Sequence, residues 1–396
     1  MLNRVIPALI FFLAFFPPKH GIDVGFFYLR LHDLASVVIF LLMLARINSY
    51  YLYFSKYQKA LNILIIYIGI SSIVGYTLWG NITSLFMPFR LFQYSLFGFF
   101  ALVTLQTMSG WKWWISVFAL YVFMLSLLQA FEIIPGISDV YGIRYDMARN
   151  VIANTGGPWE LAPLVSILSI FFIRNFDLTR SQRIIVFIVA TILVIMTASR
   201  SGALAHLLLG IYLFPVIAFF TSIVLLSLLL LINFSEVSIY LVQRSAKLFE
   251  FKESLSYLKY LYEHAPTDPT LFNQYDGWNH NELRSFDIDA SLRARLTKWI
   301  TAFKSWVDSP LSIIFGLGAG VFGRSLDGGL LRIVTELGLV GTFLFLHYLR
   351  ELTRRGMFPY VIVLVVNMIS IDTYMAAYFM SFFIFLTTIE KKMREN

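Results

Sequence analysis

Arginines beside a glycine-proline turn form the first group of residues that could carry chemistry. Arg144 and Arg149 precede the segment 154–160, which reads NTGGPWE and opens an apolar run. A guanidinium matches phosphate oxygens in pairs, and a helix N-terminus offers backbone N–H groups to an anion. This cluster therefore predicts contact with an anionic group such as a lipid-linked phosphate. A tight turn with arginines at the level of the lipid headgroups is the structural alternative.

A second arginine, Arg200, lies between two apolar runs in the sequence TASRSG at 197–202. A guanidinium left in lipid costs at least a few kcal/mol, so this side chain must be paired or must face a wet cavity. A helix-turn without a functional role is the alternative here. Arg90 is placed near the same end of the bundle, and only Lys112 is a lysine between residues 60 and 240. The outward-facing cations are therefore expected to be mainly arginines.

The third group follows a predicted amphipathic helix that contains Arg293 and Arg295. The apolar residues of that helix recur at helical spacing and are Leu292, Leu296, Trp299, Phe303 and Trp306. We expect this apolar stripe to rest at the membrane interface. After the helix comes the sequence GLGAGVFGR at 316–324, which ends in Arg324, and then Asp327.

The glycine run resembles a dinucleotide fingerprint in spacing, but no strand is predicted before it, so that interpretation is rejected. We expect instead that a polymeric substrate passes close to this backbone, beside Asp327. Arg332 and Glu336 are four residues apart and predict a local ion pair.

The elements that position these residues are transmembrane helices. Of the 396 residues, 58% are hydrophobic and only 14% are charged, which excludes a soluble globule. Apolar runs of roughly 17 to 25 residues can cross the hydrocarbon core as helices. The fold class is therefore an all-α polytopic membrane protein of about twelve spans. The predicted spans centre on residues 5–17, 31–46, 60–79, 85–108, 112–132, 158–174, 183–198, 201–214, 215–233, 328–349, 357–371 and 374–389.

The basic residues between these spans fall on one side of the membrane. They are Arg4, Arg46, Lys56, Lys59, Lys112, Arg174, Arg180, Arg183, Arg350, Arg354, Arg355, Lys391, Lys392 and Arg394. The positive-inside rule makes that side cytoplasmic. Both termini are therefore expected in the cytoplasm, and residues 136–158 and 234–327 are expected outside. The first apolar run ends at two prolines without a small-residue cleavage site and is expected to be a retained helix.

Residues 1–396 are expected to form a single membrane domain, into which the segment 234–327 is inserted as a long, partly helical loop. The net charge of +8 is largely the inner-face excess, so no nucleic acid partner is expected. The chain has no cysteine, and its histidines are scattered without metal-ligand spacing. These observations exclude a thiol nucleophile and argue against a histidine metal site.

The ordered set of these motifs resembles the bacterial O-antigen ligase and polymerase superfamily, and most closely its Wzy-type polymerases. The resemblance covers the topology of the whole chain and the local sequence from 144 to 341. Its residues are Arg144 before the glycine-proline turn, the SRSG element at 199–202, Arg295, Trp299, Pro310, the glycines at 316–320, Asp327, Leu331, Glu336, Leu337, Gly338 and Gly341.

The resemblance implies a metal-independent glycosyltransferase without a cofactor, on the periplasmic face of the bacterial inner membrane. It would move a growing glycan from undecaprenyl diphosphate onto a hydroxyl of the next lipid-linked unit. Membrane lipids and a chain-length regulator protein are the further partners. Arg144, Arg200 and Arg295 would hold the diphosphate, and Asp327 would orient or deprotonate the acceptor. Additional candidates for binding diphosphate or glycan are Arg90, Arg149, Glu160, Arg293, Arg324 and His280, with Glu160 also an alternative base.

Two other functions stay open at this stage. An O-antigen ligase, which transfers the glycan to lipid A-core, shares the topology and the donor. Ligases of the superfamily carry a histidine shortly before the span that starts here at Gly328, whereas this chain has Asp327 there. His280 is the closest ligase-like position, but it precedes Arg295. A non-enzymatic transporter is the third possibility, and it predicts polar residues at mid-bilayer and inverted repeats.

Overall fold

The computed structural model of the chain describes most of the predicted helices and part of the long loop. The described residues are 2–19, 21–23, 28–52, 58–108, 110–138, 142–144, 151–215, 251–272, 283, 286, 290–323, 326–369 and 376–395. Within them the protein is mainly helical, and the strands form two short hairpins.

The helices before residue 216 are Leu2–Phe15 (α1), Leu31–Ala45 (α2), Ile47–Leu52 (α3), Lys59–Trp79 (α4), Thr83–Thr107 (α5), Trp111–Ala130 (α6), Pro158–Asn175 (α7), Arg180–Met196 (α8) and Arg200–Leu213 (α9). The later helices are Phe251–His264 (α10), Ala290–Val307 (α11), Pro310–Phe315 (α12), Gly329–Arg354 (α13), Phe358–Met368 (α14) and Ala377–Glu395 (α15).

Each hairpin is a two-stranded antiparallel ribbon next to a helix. Ile22–Asp23 (β1) pairs with Tyr28–Leu29 (β2), directly before α2. Gly136–Ser138 (β3) pairs with Gly142–Arg144 (β4), after α6. In the second hairpin the register sets Gly136 opposite Arg144, which fixes the backbone of that arginine.

A helix overlies every predicted span except 215–233, which lies outside the described residues apart from Pro215. Four helices of the described chain are long and apolar enough to cross a membrane, namely Lys59–Trp79, Ser84–Thr107, Trp111–Ala130 and Gly329–Arg354. Shorter apolar helices cover Val5–Phe15, Leu31–Ala45 and Phe358–Met368. The all-α fold class is confirmed, together with several helices that can span a membrane.

The core of the bundle is built on aromatic rings from α1, α5, α6 and α15. The Phe15 and Phe382 ring centroids are 4.8 Å apart, and those of Phe118 and Phe382 are 4.9 Å apart. Such edge-to-face and tilted pairs add to the burial of their apolar area. Outward positions carry leucine and isoleucine side chains that are half or more exposed, such as Leu41 and Ile66. Helices that are apolar on their outer as well as their inner faces are typical of a bundle whose surroundings are apolar.

One end of the bundle collects arginines that the sequence placed on the inner side. Arg174, at the end of α7, lies 2.9 Å from the Glu390 carboxylate of α15 and donates to the Gly356 carbonyl between α13 and α14. Arg355 pairs with Glu395 at 3.3 Å. These contacts join chain segments that the predicted order of spans places on the same side of the membrane, so they are consistent with that order.

The helix predicted within the long loop is present as α11. The most buried side chains are small, namely Ala294, Thr297, Thr301, Ala302 and Ser305, whereas Phe303 of the apolar stripe is 40% exposed. The hydroxyls of Thr297 and Thr301 donate to carbonyls one turn earlier in the same helix, and the Thr297 hydroxyl also lies 2.6 Å from the Tyr257 hydroxyl of α10. Small residues on this face let α11 approach its neighbours closely.

Gly318 makes the closest backbone approach between the glycine run and α4. Its φ is +103°, and a Cβ there would overlap with the Gly75 Cα. We therefore expect Gly318→Ala to destabilise the protein by about 1–3 kcal/mol or more, from backbone strain and overlap. Thermal unfolding in detergent measures the loss. Gly69→Ala in α4 is the matched control, since a Cβ at Gly69 meets nothing within 4 Å. Equal midpoints for the two variants would contradict this packing.

Candidate functional site

Asp327 is held in an unusual backbone conformation just before α13. Its φ is +56°, in the left-handed region that few non-glycine residues occupy. The Lys298 ammonium donates to its carboxylate at 2.8 Å, and the indole N–H of Trp299 donates to its carbonyl at 3.1 Å. The Asp327 side chain is nevertheless 37% exposed. Strained residues that are fixed by several contacts are found preferentially at functional sites.

Arg295 lies on the same face of α11 as Lys298 and Trp299. Residues three and four apart are neighbours on a helix surface, so Arg295 is one turn away from both contacts to Asp327. Lys298 and Trp299 thus place Asp327 beside the helix that carries Arg295. We call Asp327, Lys298, Trp299 and Arg295 the Asp327 site.

Close packing at Gly328 holds this site together. A Cβ at Gly328 would lie 2.7 Å from the indole nitrogen of Trp299, so a larger residue would displace the ring that bonds to the Asp327 carbonyl. Arg293 is on another face of α11 and donates to the Phe286 carbonyl at 3.4 Å. Lys298 was not recognised as a site residue in the sequence. The helical spacing of Arg295 and Lys298 is the signal that could have found it.

The glycine run beside this site is packed against α4 and α13, not open to a substrate. The Gly318 N–H donates to the Glu336 carbonyl at 3.0 Å, and the Gly320 N–H donates to the Glu336 carboxylate at 2.8 Å. Trp79 donates to the Leu317 carbonyl at 2.9 Å. The expectation that a polymeric substrate passes along these glycines is therefore wrong, because their backbone groups bond inside the protein.

The predicted pair of Arg332 and Glu336 is confirmed as a buried ion pair. Their charged atoms are 2.9 Å apart, and neither side chain is exposed. Arg332 also donates to the Gly323 carbonyl at 2.5 Å. Glu336 therefore links the first turns of α13 to the glycine run in two ways. It accepts directly from the Gly320 N–H, and it pairs with the Arg332 guanidinium, which donates to the Gly323 carbonyl.

Arg200 is the first residue of α9, whose N-terminus is capped by the Ser199 hydroxyl. A Cβ at Gly202 would overlap with the Ala162 methyl, so α9 crosses the first turns of α7 at very close range. Ala162 is two residues beyond Glu160, and Arg200 therefore lies at the same end of the bundle as that carboxylate. The Arg200 side chain is partly buried, and its Nη1 atom is fully so.

Glu160 is buried in an ion pair, which differs from the open helix N-terminus that the sequence suggested. Its carboxylate accepts from the Lys19 ammonium at 2.5 Å and from the Gly156 N–H at 2.7 Å. Residues 151–157 are all buried, and the Gln129 amide donates to the Ala153 carbonyl and accepts from the Ala153 N–H. The Gly156 N–H, at the start of α7 where an external anion was predicted to bind, thus donates to Glu160 of the same helix.

Arg90 belongs to a group of charged residues that the sequence did not join. It donates to Asp33 at 2.9 Å, and the backbone N–H of Arg30 donates to the same carboxylate at 3.0 Å. We call Lys19, Arg30, Asp33, Arg90 and Glu160 the Lys19 cluster. Burial lowers the pKa of Lys19, while the Glu160 carboxylate favours its charged form.

Lys19 and Lys298 are two lysines beside the predicted arginines, and both lie outside residues 60–240, where Lys112 is the one lysine. Lys19 follows two prolines at the end of α1, a position that could have placed it at the level of the other outward charges. Of the remaining predicted residues, Arg144 is described by its backbone alone. Arg149, His280 and Arg324 lie outside the described residues.

No protein-family model matches this sequence, and no curated protein matches it either.

Proposed function

We propose that the protein is a glycosyltransferase that joins undecaprenyl-diphosphate-linked oligosaccharide repeat units into O-antigen or a related surface polysaccharide. The observation that carries the proposal is the Asp327 site. An accessible carboxylate is fixed there by Lys298 and Trp299, one helical turn from Arg295. The order of motifs from 144 to 341, which resembles Wzy-type polymerases, supplies the substrate class.

The proposed reaction is a transfer between two lipid-linked glycans. An acceptor hydroxyl oxygen attacks the anomeric carbon of the donor, and its proton passes to the Asp327 carboxylate. The bond between that carbon and the diphosphate oxygen breaks, and the diphosphate leaves with the electron pair. Carboxylates within hydrogen-bond reach of a hydroxyl serve as general bases in this way.

Arginines stabilise the negative charge that develops on the departing diphosphate. The candidates are Arg295, which is one helical turn from the two residues that contact Asp327, and Arg200 and Arg144. The role is electrostatic, since a guanidinium keeps its proton. Preorganised cations stabilise developing negative charge most strongly where water is excluded. Lys298 would fix the direction of the Asp327 carboxylate.

The proposed location is the bacterial inner membrane, with about twelve spans, both termini in the cytoplasm and the Asp327 site facing the periplasm. The arginine contacts of Arg174 and Arg355 support this orientation, because they gather at one end of the bundle. Glu160 and Arg200 lie at the opposite end of α7 from Arg174.

Lysine at position 200 or 295 should lower the rate of glycan transfer. A lysine ammonium keeps the charge but lacks the planar fork of donors, so one charge-assisted hydrogen bond is lost. Such a bond contributes about 1.5–3 kcal/mol, which corresponds to a rate about 10- to 100-fold lower. The measurement is the chain-length ladder of the polysaccharide in a source strain that lacks the chromosomal gene.

Arg180→Lys is the matched control, because Arg180 is exposed at the start of α8, at the other end of the bundle. Its ladder should equal that of the wild type. Full-length chains from both Arg200→Lys and Arg295→Lys would contradict the proposed diphosphate contacts.

The gene deletion separates polymerase from ligase. A polymerase deletion leaves lipid A-core capped by single repeat units, whereas a ligase deletion leaves the core uncapped.

A further inference from the structure

The segment from Pro310 to Gly323 joins α12 to the glycine run and is apolar throughout. It contains no charged residue, and Asp308 and Arg324 lie just outside it. A helix needs about 20 apolar residues to cross a membrane, so the segment is too short for a span. Apolar stretches of about 10–14 residues form buried core helices or segments that enter a membrane and return on the same side.

Tyr67 sets the depth of this segment along α4 and α13, which are both long and apolar enough to cross a membrane. Its hydroxyl donates to the Phe315 carbonyl at 3.0 Å and to the Leu337 carbonyl at 2.9 Å. At about 1.5 Å per residue, Leu337 lies about 12 Å from the first residue of α13, and Tyr67 lies about 18 Å from the last residue of α4. Where these helices cross the membrane, Phe315 therefore lies near the middle of the hydrocarbon core, which is about 30 Å thick.

From Phe315 the chain returns along α4 to the end of that helix. The Ala319 N–H donates to the Ser71 hydroxyl at 3.1 Å. The Asn81 side chain, which follows the last residue of α4, donates to the Val321 carbonyl at 2.8 Å. The contacts thus move towards the end of α4 as the chain advances.

The backbone of the glycine run is buried and bonded within the protein. Non-helical backbone inside a membrane is tolerated only where it is buried in protein or lines a wet cavity. Residues 317–321 are all buried. The Leu317 N–H donates to the Thr335 carbonyl at 2.9 Å, and the Gly318 N–H donates to the Glu336 carbonyl at 3.0 Å. The run therefore meets the condition for irregular backbone at this depth.

The outer face of α12 is apolar and exposed. Leu311 is 69% exposed, and Phe315 is 53% exposed. The contacts of Tyr67 place Phe315 beside the outer faces of α4 and α13. Ile66 on α4 and Leu339 on α13 are each more than half exposed. An exposed apolar surface that continues over three helices marks a site of contact with a membrane or a partner.

We infer that residues 310–323 form a re-entrant segment. In it α12 enters the outer half of the membrane, and the glycine run returns to the outer face. Lipid acyl chains lie against Leu311 and Phe315. This part of the predicted outer loop is therefore inside the membrane, and Asp327, just before α13, lies at the level of the lipid headgroups. The inference rests on the proposed membrane location and not on the proposed transfer reaction.

Spin labelling of the full-length protein in liposomes tests the depth of the re-entrant segment. The chain has no cysteine, so one introduced cysteine carries the nitroxide label alone. Leu311→Cys and Phe315→Cys are the test variants, and both positions are exposed, so the label replaces no core side chain. Collisions of the label with oxygen, which concentrates in hydrocarbon, are compared with collisions with a polar nickel chelate, which stays in water.

Two further positions calibrate the ratio of oxygen to nickel collisions. Phe343→Cys places the label on the exposed apolar face of α13, and Ser181→Cys places it at the exposed start of α8, between Arg180 and Arg183. The ratios at the two test positions should match the ratio at position 343 and exceed the ratio at position 181.

The reference positions separate the two ways in which this account can fail. If position 343 has a hydrocarbon ratio while Leu311→Cys or Phe315→Cys has the ratio of position 181, the re-entrant segment is wrong and the membrane location stands. If position 343 itself has the ratio of position 181, the membrane location is wrong and the inference falls with it.

Discussion

Asparagine in place of Asp327 is expected to lower the initial rate of glycan transfer by about 100- to 10,000-fold, the usual contribution of a general base. Asparagine has nearly the same shape and tolerates the left-handed backbone at this position. It cannot accept the proton of the acceptor hydroxyl. The rate is measured with membranes that contain equal amounts of each variant and a lipid-linked repeat unit.

Lys298→Met separates the loss of the base from the loss of its ion pair. This variant keeps the Asp327 carboxylate and the Trp299 contact to the Asp327 carbonyl, so its rate should fall less than that of Asp327→Asn. Lys304→Met is the matched control, because Lys304 is on the same helix and donates to the Ala265 carbonyl. An unaltered initial rate for Asp327→Asn would remove the residue from the proposed chemistry.

The second large effect is expected from Glu336→Gln, which leaves the guanidinium of Arg332 buried without its carboxylate. Breaking a buried ion pair in this way costs about 3–5 kcal/mol. The Gly320 amide also loses a charged acceptor. Thermal unfolding of the purified protein in detergent should therefore show a much lower midpoint, together with a lower yield of folded protein.

Glu351→Gln provides the comparison within the same helix. Glu351 pairs with Arg354 at 3.3 Å near the surface, where such a pair contributes about 0–1 kcal/mol. Its unfolding midpoint should lie close to that of the wild type. If Glu336→Gln unfolds at the same temperature as Glu351→Gln, the buried pair does not stabilise the glycine run.

The helices could be predicted because their signals are local. The start of α7 follows from Gly157 and Pro158, since proline favours the first turn of a helix. The start of α8 follows from Thr179 and Gln182, which form a capping box. The pair of Arg332 and Glu336 is also local, because its residues are one turn apart.

The candidate site could be predicted only in part, because its decisive contacts join distant residues. Lys19 and Glu160 are 141 residues apart in the sequence, and Lys298 and Asp327 are 29 apart. Such pairs depend on how the helices pack, which the periodicity of one segment does not reveal. The glycine run shows the same limit. Its spacing indicated a flexible approach to a substrate, whereas Gly318 serves a close contact with α4.

The most direct test of the proposed function uses the purified protein in liposomes with one undecaprenyl-diphosphate-linked repeat unit. Both the length of the glycan and the release of undecaprenyl diphosphate are followed over time. We predict glycans of increasing length, with one undecaprenyl diphosphate released per new glycosidic bond and no requirement for lipid A-core. Product that forms only after lipid A-core is added, or no product longer than one repeat unit, would contradict the proposal.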